Sequence, residues 1–167
     1  MKLKPVCSIL SQVETDKFRV VISRKGDHHI IRKSDGDKIM FDDSETLGLY
    51  ERSCENIDVK GQVLVVGGAT CMLPYNWKDI PGITITVMEI DQELIDLVKP
   101  LFPYVTFICA DAHTYKHRFK IYDTIFLDIF HKKEEDYEIK QRELIDKYSK
   151  MVRNNNITYL KIHNIEI

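Results

Sequence analysis

Apolar residues follow two different periods along this chain, and the change falls near residue 60. Before it, "FRVVISR", "HHIIRK" and "KIMFD" are short runs rich in β-branched and aromatic side chains, separated by "KGD" and "SDGD". Such Gly-Asp and Asp-Gly punctuation supplies the positive φ of tight hairpin turns, so the runs predict a small antiparallel β unit over about residues 6–42. The next stretch, "DSETLGLYERSCEN", has an acidic start, a candidate cap at Ser44 and one apolar face; it predicts a short helix.

From Gly61 onward the apolar runs alternate between strand and helix: "QVLVVGG", "CMLPYNWKD", "TITVMEI", "QELIDLVKPLF", "VTFICAD", "YDTIFLDIF", "EEDYEIKQRELIDKYSKMVR" and "ITYLKIH". Nearly continuous β-branched runs separated by helices are the mark of a parallel sheet covered on both faces. The expected fold class is therefore α/β, a Rossmann-like doubly wound sheet of five strands in the order 3-2-1-4-5 with right-handed crossovers. Two regions follow from the pattern: 1–59, the β-hairpin unit with its short helix, and 60–167, the Rossmann-like domain. There is no internal repeat, and the charge run "HKKEEDYEIKQRE" reads as the solvated start and face of a helix.

Composition narrows the partners. The 167 residues are 44% apolar and 30% charged with a net charge of -2, which suits an ordinary globular domain and gives no basic field for nucleic acid or an anionic membrane. No run approaches the roughly 18 apolar residues of a membrane span, and the start lacks the apolar core of a signal peptide; a cytoplasmic protein is expected. Four cysteines, Cys7, Cys54, Cys71 and Cys109, show no C-x-x-C spacing, so reduced thiols are expected rather than a zinc knuckle or disulfide framework.

In an open parallel sheet, ligands sit beyond the carboxyl ends of the strands where the strand order reverses. Four such ends carry suggestive residues. Gly67 and Gly68 follow the first strand and let backbone amides approach a ligand at a helix N-terminus. Glu89 ends the second, at the distance along the chain from the glycines where an acid can accept hydrogen bonds from ribose hydroxyls. Asp111 ends the third and Asp128 the fourth. Each also has a plainer explanation: the glycines as a simple turn, Asp111 as a loop acid, Asp128 as a turn residue, and Glu89 or Asp91 as a helix cap. Of that last pair, Asp91 suits the cap and Glu89 the ligand.

Taken together, "VLVVGGATCMLP", "ITVMEIDQELIDLVKPLFPYVTFICADAHTY" and "YDTIFLDIF" resemble the core of the spermidine synthase family and its relatives among class I S-adenosylmethionine-dependent methyltransferases. The resemblance covers about residues 10–163, because that family also places a β-hairpin unit ahead of its nucleotide-binding domain. It implies a transferase that uses S-adenosylmethionine or decarboxylated S-adenosylmethionine as co-substrate and passes a methyl or aminopropyl group to a small-molecule acceptor, with no metal. It further implies that Gly67, Gly68 and Ala69 lie beside the amino-acid or aminopropyl part of the sulfonium compound, Glu89 and Ile90 by the ribose, and Asp111 and Ala112 by the adenine. Asp128 would match the acid that orients and deprotonates the attacking amine, helped by Tyr50 or by His131.

The chain also departs from that family. Ala69 and Cys71 stand where glycines are usual, so Cys71 is expected to narrow the space over the ligand. After Asp128 the chain reads "IFHKK", without the second acid of the aminopropyltransferases. A cofactor-binding or structural protein that has lost catalysis is the alternative these changes suggest. The fifth strand is the last the pattern offers, where class I methyltransferases add two more; an open edge results, and a homodimer or higher assembly is expected to cover it. His113 and His117 have the four-residue spacing of paired metal ligands, but their segment reads as a loop and no metal is expected. Cys71 at a helix start could be a reactive thiol or a small packed residue, and Trp77 and Tyr75 base-stacking or core aromatics.

Overall fold

Strand and helix alternate after residue 60 as the apolar pattern requires, and the strands assemble into one parallel sheet. The structure is a computed structural model that describes residues 2–5, 14–22, 28–34, 36, 38–41, 44–68, 71–117, 121–129 and 137–160. The sheet takes β4 (Gln62–Gly67), β5 (Thr84–Glu89), β6 (Val105–Cys109), β7 (Thr124–Asp128) and β8 (Ile157–Tyr159) in the order β6-β5-β4-β7-β8, which is 3-2-1-4-5. Ahead of it, β1 (Phe18–Ile22), β2 (His28–Arg32) and β3 (Lys38–Phe41) form an antiparallel sheet, with an irregularity in register between Ile30 and Ile31. Four α-helices are described: α1 (Ser44–Ser53), α2 (Met72–Trp77), α3 (Gln92–Val98) and α4 (Tyr137–Ser149).

Alternate residues of each strand feed opposite faces. Val63, Val65, Ile85, Val87 and Phe126 pack on one side with Leu73 and Trp77 of α2 and Leu94, Leu97 and Val98 of α3. Leu64, Val66, Met88, Ile125 and Leu127 pack on the other with Leu144 and Tyr148 of α4. Each such side chain taken from water contributes roughly 1.5–3 kcal/mol, so the central strands hold the sheet together through both faces at once. The first face also receives Leu3, Phe18 and Ile30, and the core therefore runs without a break into the N-terminal unit.

Several elements are shorter than their apolar runs. α2 covers six residues. β6 ends at Cys109, and Asp111 opens a turn instead of closing a strand. β7 begins at Thr124, and Asp123 before it closes on the start of β4, its carboxylate accepting from the Gln62 amide at 2.8 Å and its amide donating to the Gln62 carbonyl at 2.8 Å.

Candidate functional site

β4 and β7 lie side by side where the sheet order reverses, with Gly67 directly opposite Asp128. Both glycines after β4 have positive φ, 77° for Gly67 and 66° for Gly68. At Gly67 an added Cβ would lie 2.4 Å from the Asp128 carbonyl oxygen; at Gly68 it would lie 2.7 Å from the Asp128 Oδ2 atom. Only glycine allows the turn to cross this close to Asp128, whose backbone and carboxylate fill the space a side chain would take.

Tyr50, 78 residues earlier on α1, donates its hydroxyl to Asp128 Oδ2 at 2.7 Å. Its ring stacks on Phe126 with centroids 6.1 Å apart, which fixes the direction of the phenol. Burial pushes the Asp128 carboxyl up to about 7; the Tyr50 hydrogen bond pulls the other way, and the charge of Glu89 pushes it further up. A carboxyl poised near neutrality and supported by a phenol is suited to take a proton from a nucleophile. Cys54, also from the α1 end, feels the same field: burial, then the Asp128 charge, push its thiol up to about 12.

The two acids after β5 divide their work. Asp91 caps α3, accepting from the Glu93 and Leu94 amides at 3.0 and 3.3 Å. Glu89 accepts from the Ile90 and Asp91 amides at 2.8 and 3.1 Å, which holds its half-buried carboxylate at the carboxyl end of β5. Ile90 is 67% exposed beside it. After β6, the Asp111 carboxylate accepts from the His113 amide at 2.9 Å and the Thr114 hydroxyl at 3.2 Å, closing a turn in which Ala112 is buried.

The structure thus brings Tyr50, Gly67, Gly68 and Asp128 together and sets Glu89, Ile90, Asp111 and Ala112 at the neighbouring strand ends. Ala69 and His131 lie outside the described residues. Glu51, next to Tyr50, is occupied elsewhere, accepting from the Leu3 amide at 2.7 Å.

Cys71 differs from expectation in an informative way. It is left-handed, with φ 61°, a conformation that costs an L-residue roughly 1–2 kcal/mol and that glycine adopts freely. The turn therefore has a backbone shape that suits glycine, with a cysteine in that place. Its side chain is fully buried in the core cluster rather than standing over the turn, and burial pushes the thiol well above the ordinary cysteine range, so it is not a reactive nucleophile. Trp77 is likewise core, edge-on to Phe126. Among the described residues no cluster of three or more His, Cys, Asp or Glu could hold a metal ion, and no helix is long and apolar enough to cross a membrane. His117 packs edge-on against Tyr115, Tyr122 and Tyr148.

No family model matches the chain, and no curated protein matches it by sequence. Solved structures do. The N-methyltransferase NodS from Bradyrhizobium japonicum WM9 is similar with a TM-score of 0.51 at 18% identity, over 69% of this chain and 65% of that one. Coclaurine N-methyltransferase bound to N-methylheliamine and SAH gives 0.51 at 17% identity, over 68% and 35%. An S-adenosylmethionine-dependent methyltransferase from Clostridium acetobutylicum ATCC 824 gives 0.50 at 13%, over 67% and 47%. The chain therefore has the Rossmann-like methyltransferase fold, and it spans less than two thirds of the length of each of these structures.

Proposed function

We propose that this protein binds S-adenosylmethionine, or its decarboxylated form, at the carboxyl ends of β4, β5 and β6 and transfers a methyl or aminopropyl group to a small nucleophile. The observation that carries the reading is the Tyr50–Asp128 hydrogen bond beside the Gly67–Gly68 turn. It pairs a proton acceptor with a glycine turn at the point where a doubly wound sheet receives its ligand. The solved methyltransferases that share the fold favour methyl over aminopropyl transfer, as does the missing second acid after Asp128.

A sulfonium sulfur supplies an activated leaving group. The protein's task is then to align the acceptor and remove its proton. Asp128 takes the proton released as the nucleophile's lone pair forms its new bond to carbon and the carbon–sulfur pair returns to sulfur. Tyr50 holds Oδ2 and so orients Oδ1 toward the acceptor. Glu89 grips the ribose hydroxyls, and Asp111 with Ala112 meets the base. We infer a cytoplasmic homodimer or higher homo-oligomer, with β8 as the edge that a second copy covers.

Isothermal titration with S-adenosylmethionine, decarboxylated S-adenosylmethionine and methylthioadenosine tests the site. Micromolar binding of at least one is expected, with Glu89→Ala weakening it by about tenfold or more, the loss of hydrogen bonds to a charged acceptor. No binding by any of the three sinks the reading. Binding without turnover over a panel of amines and other small acceptors would instead favour a chain that kept the site and lost catalysis.

A further inference from the structure

The turn after β6 is gripped from behind by α4. The Lys147 ammonium donates to the Ala112 carbonyl at 2.6 Å and to the His113 carbonyl at 2.9 Å. The Tyr148 hydroxyl donates to the same Ala112 carbonyl at 3.2 Å and lies 3.5 Å from the Met88 sulfur on β5. On the other side of the turn, Asp111 closes the loop through the His113 amide and the Thr114 hydroxyl. Ala112 is therefore held by two donors from a helix 35 residues away, while its neighbour Asp111 is held from within.

This is an unusual use of a lysine. On a charge-rich helix such as α4 the ammonium ordinarily reaches into water and only the stem lies on the protein. Here burial pushes its protonation down, opposed by the charge of Asp111, and the ammonium is turned onto two backbone carbonyls of a single loop. The Tyr148 ring packs fully buried in the core, and its hydroxyl adds little to that packing beyond the bond to Ala112. Both polar groups are spent on the position of one loop, and that loop carries the base end of the nucleoside site.

We propose that Lys147 and Tyr148 are positioning residues for base recognition, fixing the Ala112 carbonyl so that the Asp111 carboxylate and the Ala112 amide meet the edge of an adenine. The inference rests on the function proposed above. Recognition by hydrogen bonds requires placement to within about half an ångström, and the turn has no helix or strand of its own to supply it. Selectivity for adenine over a base lacking the exocyclic amine should thus depend on α4, which does not touch the ligand.

The test compares S-adenosylhomocysteine with S-inosylhomocysteine by isothermal titration for the unmodified chain, Lys147→Met, Lys147→Arg and Tyr148→Phe, with a melting curve for each. The unmodified chain should prefer the adenine form; Lys147→Met should cut the ratio of the two affinities by about tenfold, Tyr148→Phe by less, and Lys147→Arg should recover part of it. An equal loss for both ligands means that the pair only stabilises the fold, and overturns the proposal. So does an unchanged ratio in a folded variant. Tyr148→Phe keeps the buried ring and decides the matter if Lys147→Met does not fold. Failure of the unmodified chain to bind either ligand overturns the parent function, an outcome separate from a variant that binds both with the original preference.

Discussion

Asp128 sits where its charge is expensive, and that sets a pH dependence whose sign can be worked out. Its carboxyl is pushed from 3.8 to about 7 in the folded chain. Between those values the folded state holds a proton that the unfolded state has released, so stability falls as pH rises through this window and is level above it. Asp128→Asn removes the titration. Its melting temperature should be less sensitive to pH between 4 and 7, and it should exceed that of the unmodified chain most clearly at pH 8. Each kcal/mol amounts to about 2–4 °C for a chain of this size, so scanning calorimetry will resolve the difference. The same variant should lose transfer activity by about a hundredfold or more, since the proton acceptor is gone. In the unmodified chain kcat/KM should climb to a plateau above about pH 7 as Asp128 ionises. A variant whose stability tracks pH as before would place the titration on another group.

Among the elements, α3 shows how much was legible in the sequence and where legibility stopped. The assignment of Asp91 to the cap rested on its place before an apolar run, and the observed bonds to the Glu93 and Leu94 amides follow from that local chemistry. Asp91→Ala should lower stability by about 1 kcal/mol, a melting shift of about 2–4 °C, while leaving nucleoside affinity nearly unchanged; Glu89→Ala, which also releases the Ile90 and Asp91 amides, should lower stability and nucleoside affinity together, so the titration data separate ligand from cap. The strand ends were readable for a similar reason, since parallel strands have long apolar runs and the break in each run marks where the strand stops. By contrast, Lys147 carries no signal: in "RELIDKYSK" it looks like one more charge on a solvated face, and its reach to Ala112 depends on how α4 lies on the sheet. The left-handed turn at Cys71 was equally hidden. A cysteine at the start of a helix announces neither its φ nor the direction of its side chain, and the expectation that it narrows the cleft failed because the side chain enters the core.

At the scale of the whole molecule, the order 3-2-1-4-5 leaves β6 and β8 as the outer strands, each paired on one side among the described residues. β8 is the weaker edge, three residues long and partly exposed throughout. Its bonds to β7 use the Asn156 carbonyl, which accepts from the Ile125 amide at 3.1 Å, and the Leu160 amide, which donates to the Leu127 carbonyl at 3.0 Å. In a parallel pair the backbone groups of alternate residues point to the same side, so those of Ile157 face away from β7. Such an outward row is a template for another strand unless something covers it, and a second copy of this chain is the partner always at hand. Isologous pairing through β8 would join two sheets into one and leave each cleft, at the far ends of β4 to β7, untouched. Sedimentation velocity should therefore find a dimer at micromolar concentration, and Ile157→Pro, which removes an outward amide without deleting a β7 bond, should shift the protein to monomer while nucleoside affinity is kept. A monodisperse monomer in the unmodified chain would refute the assembly, and a proline variant that stays dimeric would move the interface to another face.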